Sequence, residues 1–268
     1  MGFANGIHLY KDLPYLSNLP LLAKLKWFLL GRYHRFLLKY HTNKYIVETE
    51  DVKIRLANFL AVPQDKIHVT PNTFHSVFNA AFKDFELLPD KNPDEFRLVS
   101  VTAFYAHKNL TIINELIPYL EKSSFKFRFI LTLPDAVFEQ HFSRHRDYFY
   151  NVGPVRIEDC PYIYSMADAL FLPTLVESFT ASYPEAMKMH KPILTSDYSF
   201  ARSICDDAAL YFDPYNPEEI AQQIVKLASD NKLYHSLVKR GDERLNHFPS
   251  AYDRAKDYIE VCKEVVFK

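Results

Sequence analysis

The sequence predicts an α/β fold built on a parallel sheet, and three observations carry that prediction. From residue 97 onward, short apolar runs alternate with stretches of helical spacing, the rhythm of βαβ units. ALFL (169–172) is continuously apolar and RLVSV (97–101) is mostly so, which is the pattern of strands covered on both faces. The chain has 268 residues, 48% hydrophobic and 24% charged, a globular composition with enough length for a sizeable core.

Taken in order, residues 13–20 are broken by prolines and read as a loop, and Gly2 to Tyr10 reads as the tail of a strand and its loop. Residues 21–41 read as a helix, with Leu22, Leu25, Leu29 and Phe36 at helical spacing. Lys24, Lys26, Arg32, Arg35 and Lys39 make it basic. Two readings stay open: a core helix with snorkelling cations, or a peripheral helix lying on an anionic membrane surface. Strands follow at 44–47 and 66–70, joined by a helix at 51–60, and 84–95 reads as a linker.

Strands are then expected at 97–101, 127–133, 150–152, 169–172, 193–195 and 209–212. Helices are expected at 109–120, 135–146, 162–167, 182–189, 200–205, 217–229, 231–245 and 251–265, with Asn216 capping the helix that Pro217 opens. Parallel sheets of this kind bind ligands at the carboxyl ends of their strands.

Composition narrows the function. A net charge of −1 gives no field for nucleic acid, and the basic stretch at 24–39 comes with no groove-reading motif. Cys160, Cys205 and Cys262 form no C-x-x-C pair and read as free thiols in a reducing compartment, so a cytoplasmic protein is expected. No secretory leader and no run of about 18 apolar residues is visible. Only five glycines occur and no G-x-G-x-x-G follows a strand, which argues against a dinucleotide fingerprint. No D-x-D triplet is present to hold a divalent metal, so neither metal nor cofactor is expected.

Two sets of residues could carry chemistry. Glu177 follows the strand ALFL and Glu185 lies in the next helix, seven residues intervening. If that helix starts near Ser178, Glu185 stands about two turns in, and the free N–H groups of Ser178 to Ala181 favour an anion. On spacing alone, the two are also an ordinary surface glutamate and a helix-face glutamate. Lys108 sits in the loop after the 97–101 strand, where it either reaches the same crevice as a point charge or is solvated.

The run ADALFLPTLVESFTASYPEAMKMHKPILTSD resembles the signature of the family-4 glycosyltransferases, retaining enzymes of GT-B fold. CDDAALYFDPYNPEEIAQQI, KIHVTPNTF, YIVETEDVKIRL and HKNL are similar to further family segments, collinear from about residue 44 to 227. The resemblance implies a Rossmann-like donor domain at 76–250, the end of an acceptor domain at 1–75, and a C-terminal helix at 251–268 returning to the junction. It also implies roles. Glu177 would hydrogen-bond the donor sugar as the catalytic-centre glutamate, Glu185 would hold the ribose, and Lys108 would meet the diphosphate. Backbone N–H groups of Ser178, Phe179 and Thr180 would cradle the distal phosphate, and Val152 to Val155, with Gly153 and Val155, would lie beside the base.

The implied reaction moves a sugar from a nucleotide-diphosphate sugar to a saccharide or lipid-linked acceptor, without metal. The implied place is the cytoplasm, peripheral to the inner face of a membrane through 21–41. A nucleotide-sugar-binding module without turnover, or a partial enzyme needing a separate acceptor domain, would share these residues.

The sequence departs from the family pattern. The usual G-R of the phosphate loop falls on Thr102 and Ala103, leaving His107, if protonated, as a substitute cation. The usual glycine after E-S-F is Thr180, and the one before the P-I strand falls on His190 or Lys191. His8 is the one early candidate for an acceptor-side histidine. The two N-terminal strands would leave an open sheet edge. They would fold onto the donor domain, pair with a second copy, or meet another chain.

Overall fold

The computed structural model describes residues 1–81 and 87–266, so 84–86 of the expected linker lie outside the described residues. In chain order the helices are α1 (Pro14–Ser17), α2 (Leu21–His41), α3 (Glu50–Leu60), α4 (Ile112–Leu120), α5 (Asp135–Phe142), α6 (Cys160–Ser165), α7 (Ser182–Lys188), α8 (Ser199–Cys205), α9 (Pro217–Ser229), α10 (Asn231–Leu245) and α11 (Ala251–Val266). The strands are β1 (Tyr45–Val47), β2 (Ile67–Val69), β3 (Glu95–Ser100), β4 (Lys126–Leu131), β5 (Phe149–Asn151), β6 (Ala169–Leu172), β7 (Ile193–Ser196) and β8 (Ala209–Phe212). Asn216 caps α9 as the sequence predicts, accepting from Glu219 N at 3.2 Å. The expected helix over 135–146 is shorter, because the chain kinks into a 3₁₀ turn whose His145 leaves helical geometry.

Among the described residues, β3 to β8 form one six-stranded parallel sheet in the order β5-β4-β3-β6-β7-β8. Every residue of β3, β6 and β7 is buried, as a sheet covered on both faces requires, and the charged Glu95 and Arg97 of β3 are buried as an ion pair. Period-two alternation divides the side chains. Leu98, Phe129, Phe171 and Leu194 pack on one face under α4 and α9. Val99, Ile130, Leu170 and Ile193 pack on the other.

That second face joins the N-terminal residues to the sheet. Its core includes Phe3, Tyr10, Val47, Leu56 and Leu60 beside Val99, Leu170 and Phe200. The orphan strands therefore fold onto their own chain. β1 pairs parallel with β2, and Met1 to Phe3 covers the other edge of β1 through Ile46 N→Met1 O (2.9 Å) and Phe3 N→Ile46 O (3.0 Å). The Asp51 carboxylate of α3 accepts from Tyr10 Oη (2.7 Å) and from Ser199 Oγ of α8 (3.0 Å). α11 closes the other side: Asp257 pairs with His68 (3.0 Å) and accepts from Thr70 Oγ1, and Arg254 reaches Glu48 (3.4 Å).

α2 keeps its predicted bounds but not the role of a core helix. Leu22, Leu25, Leu29 and Phe36 are between 52% and 81% exposed, and of the whole helix only Gly31 and Leu38 are buried. The helical spacing marks the outward face, a sense that periodicity alone does not supply.

Of the two positions open for the glycine missing before β7, the backbone selects His190, whose φ is +54°. A left-handed residue with a Cβ costs about 1–2 kcal/mol, most for a β-branched side chain. His190→Gly is expected to melt at or above the parent, and His190→Val to lose about 1–2 kcal/mol in denaturant titrations. The exposed His190–Asp242 contact (2.8 Å) contributes little to either result.

Candidate functional site

The strand order reverses between β3 and β6. β4 and β5 extend the sheet on one side and β7 and β8 on the other, so the loops leaving β3 and β6 diverge and open a crevice. Lys108 ends a 3₁₀ turn (Ala106–Lys108) on the first loop and Glu177 lies on the second. Their side chains meet: Lys108 Nζ donates to Glu177 Oε1. Thr174 Oγ1 lies 3.0 Å from Glu177 Oε1 and 3.1 Å from the His107 carbonyl, and Leu175 N donates to that carbonyl at 2.7 Å. The two loops are thus tied across the crevice by backbone and side chain alike. Asn109 adopts the left-handed conformation ahead of α4, and its side chain donates to Pro214 O after β8 (3.0 Å).

α7 begins at Ser182, the expected bound, so the condition of a start near Ser178 is not met. Ser178 to Ala181 belong to the approach to the helix, and Glu185 stands in its first turn instead of two turns in. Ser178 and Thr180 are buried, and the Phe179 ring meets Phe248 edge-on at 6.2 Å. Thr180 is accommodated without a positive φ, so the loop does not need the family's glycine there.

Glu185 is enclosed. Tyr164 Oη donates to it at 3.2 Å, and burial pushes its carboxyl up to about 7 against that hydrogen bond. It lines a cavity of about 690 Å³ with Asn72, Phe74 and Ser76 of the segment after β2 and Arg254 and Tyr258 of α11. A second cavity, about 560 Å³, is lined by Thr102, Ala103, Thr132 and Val155, and Ile157 borders both. Gly153 turns this loop at φ +72° with open space beside it. Val155 and Glu185 thus face adjoining spaces, while Lys108 and Glu177 face each other. Thr102 and Ala103 bring no cation to the crevice. Neither does His107 at neutral pH, since burial lowers its pKa, and the attraction of Glu177 is the lesser effect.

The structure adds a contact that no motif announced. A Cβ built on Gly6 would lie 2.8 Å from the Glu177 carbonyl carbon and 3.1 Å from Ser178 N, so glycine alone fits there. The N-terminal turn (Gly6–His8) therefore rests directly on the Glu177–Ser178 backbone, and Glu177 and Lys108 are left only 11% and 14% exposed. In a chain with five glycines, a loop glycine was the available signal. His8 is buried beside it, stacked on Phe59 and 2.9 Å from His34 Nδ1, and desolvation holds its pKa down at about 4.

Comparison with known proteins places this geometry. Residues 88–244, more than half of the chain, match the family described as glycosyl transferases group 1. The chain belongs to that family. It is similar to the O-antigen chain mannosyltransferase B of Escherichia coli, 28% identical over 97 residues, which are 36% of this chain and 26% of that protein. The alignment thus spans about a quarter of that curated relative. Among solved structures, WaaG, a glycosyltransferase involved in lipopolysaccharide biosynthesis, superposes with a TM-score of 0.76 at 13% identity over 97% of this chain and 73% of that one. HepE of Anabaena, in complex with UDP and glucose, gives 0.70 at 15% identity over 87% and 66%. At such identities the likeness is one of fold. In this group 1 chain, the matched stretch runs through β3 to β8 and carries Lys108, Glu177 and Glu185.

Burial of Glu185 has a measurable consequence. A carboxyl raised from 4.5 to about 7 binds its proton more tightly folded than unfolded, so stability falls as pH rises across that window. From about pH 5 to about pH 8 this group removes on the order of 3 kcal/mol. Denaturant titrations at the two values should show Glu185→Gln without that loss and more stable than the parent at the higher pH.

Proposed function

We propose that this chain carries the donor site of a retaining, metal-independent glycosyltransferase. The observation that supports it best is the meeting of Lys108 and Glu177 at the β3/β6 crevice, within a chain whose family transfers glycosyl groups. In this reading the base enters the cavity at Val155 and Gly153, and Glu185 accepts from the ribose hydroxyls. The diphosphate takes over Lys108 and the N–H groups of Ser178, Phe179 and Thr180. Glu177, released from Lys108, turns to the hydroxyls of the sugar.

The bond between the anomeric carbon and the diphosphate oxygen breaks, and a bond to the acceptor hydroxyl oxygen forms on the same face. The hydroxyl proton passes to the departing diphosphate, which leaves as the nucleoside diphosphate. Negative charge grows on that leaving group, and fixed N–H dipoles and Lys108 stabilise it without reorganising. Among the described residues no three of His, Cys, Asp and Glu converge to hold a metal. The N–H groups and the lysine would serve that role.

A second reading, a nucleotide-sugar-binding module without turnover, is favoured by the Lys108–Glu177 pair, which must open before a donor can engage either. Transfer or slow donor hydrolysis separates the two readings. Calorimetry with UDP, GDP and their sugar conjugates is expected to show binding that falls at least roughly tenfold in Lys108→Ala and Glu185→Ala. Because ribose hydroxyls favour the ionised carboxylate, parent affinity should rise with pH up to about 7 and level off above it. Absence of binding to the folded parent would remove the donor site from this chain.

Peripheral membrane contact through 21–41 belongs to the same proposal. Among the described residues no helix is long and apolar enough to cross a membrane. The exposed row Leu22, Leu25, Leu29, Tyr33, Phe36 and Tyr40 instead suits an interfacial helix flanked by cations. Leu25→Glu with Phe36→Glu should abolish co-sedimentation with anionic phosphatidylglycerol vesicles while leaving nucleotide binding intact. Unchanged sedimentation would sink the membrane role.

A further inference from the structure

The Gly6–His8 turn has two sides. One rests on Glu177 and Ser178. The other, through Ile7 and His8, lines a pocket of about 300 Å³ closed by α2. Four cations line it, Lys11, Lys24, Arg32 and Arg35, and no carboxylate does. Among the described residues, none of the four forms an ion pair. Lys11 is held over the Phe59 ring at 5.4 Å, which fixes its charge at the pocket wall. With about 100° per residue, Lys24, Arg32 and Arg35 fall within roughly 80° of the α2 circumference, so they converge on one flank. His8 contributes no charge at neutral pH.

Four like charges gathered around one concavity repel each other; all four are exposed, so water screens that repulsion, but no carboxylate lines the pocket to neutralise them. A bound anion would. Two guanidinium groups one turn apart suit the oxygens of a phosphate, and Trp27 and Phe28 supply an apolar wall for whatever carries it. We propose that this pocket binds a phosphate group borne by the acceptor, holding the acceptor on the opposite side of the Gly6–His8 turn from the donor sugar. The assignment to the acceptor rests on the transferase reading above, whereas the anion site itself does not.

Trp27 lines the pocket and is the sole tryptophan of the chain, so its fluorescence reports this site alone. The intact protein would be titrated with inorganic phosphate, with monohexyl phosphate below its micellar range, and with hexanol as the uncharged control. Arg32→Gln, Arg35→Gln and Lys24→Gln would be titrated beside it, their folding checked by thermal melting. Lys108→Ala serves as the donor-loop control.

The expected result is a saturable Trp27 response to a phosphate probe, weakened roughly tenfold by each charge removal and unchanged in Lys108→Ala. Tighter binding of monohexyl phosphate than of inorganic phosphate places the group on a lipid, and equal binding places it on a soluble saccharide. An equal response to hexanol, no effect of the charge variants, or loss in Lys108→Ala overturns the pocket. UDP calorimetry on the same variants keeps the two ideas apart. A Trp27 response without nucleotide binding leaves the anion site and removes the donor reading, and nucleotide binding without a Trp27 response does the reverse.

Discussion

The site depends on one pairing, β3 against β6. Leu98 and Val99 lie in parallel register with Ala169 and Leu170, strands that are more than sixty positions apart in the chain. Because β4 and β5 continue outward from β3, and β7 and β8 from β6, the two following loops cannot lie over the same neighbour. They part, and the space between them is the crevice. Lys108 and Glu177 meet there because each stands a few residues beyond the end of its strand. A sheet in another order would hold the same residues in unrelated loops.

Burial then sets the electrostatics of that crevice. Glu185 is carried by the first turn of α7 into the contact with Tyr164, and desolvation outweighs the hydrogen bond it receives. Holding this carboxyl buried costs stability, and under the proposed donor reading the ribose hydroxyls would offset that cost. Gly6 adds a constraint of another kind. Its missing Cβ lets the N-terminal turn touch the backbone carrying Glu177, so the residues before β1 act as a wall of the site.

α2 links the site to its surroundings. Its inner face meets His8 and Phe59, its outer face is a row of exposed apolar side chains, and its cations gather along the flank between them. One helix thereby presents three surfaces of different chemistry, each argued from burial and charge rather than from a motif.

The sequence by itself determined the α/β class, most element bounds to within a residue or two, and the segment that carries Lys108, Glu177 and Glu185. These are local or periodic signals: continuous apolar runs for buried strands, the Asn216–Pro217 pair for a helix start, collinear segments for the family. Tertiary structure decided the rest. α7 starts at Ser182, as its expected bounds have it, so the condition of a start near Ser178 is not met and Glu185 falls in the first turn. The apolar spacing of α2 gave its period and left open which face looks outward, since direction depends on neighbours far along the chain. The union of residues 1–75 with the sheet, the choice of His190 for the left-handed bend, and the closeness of Gly6 to Glu177 are likewise products of packing between segments that the sequence keeps well apart.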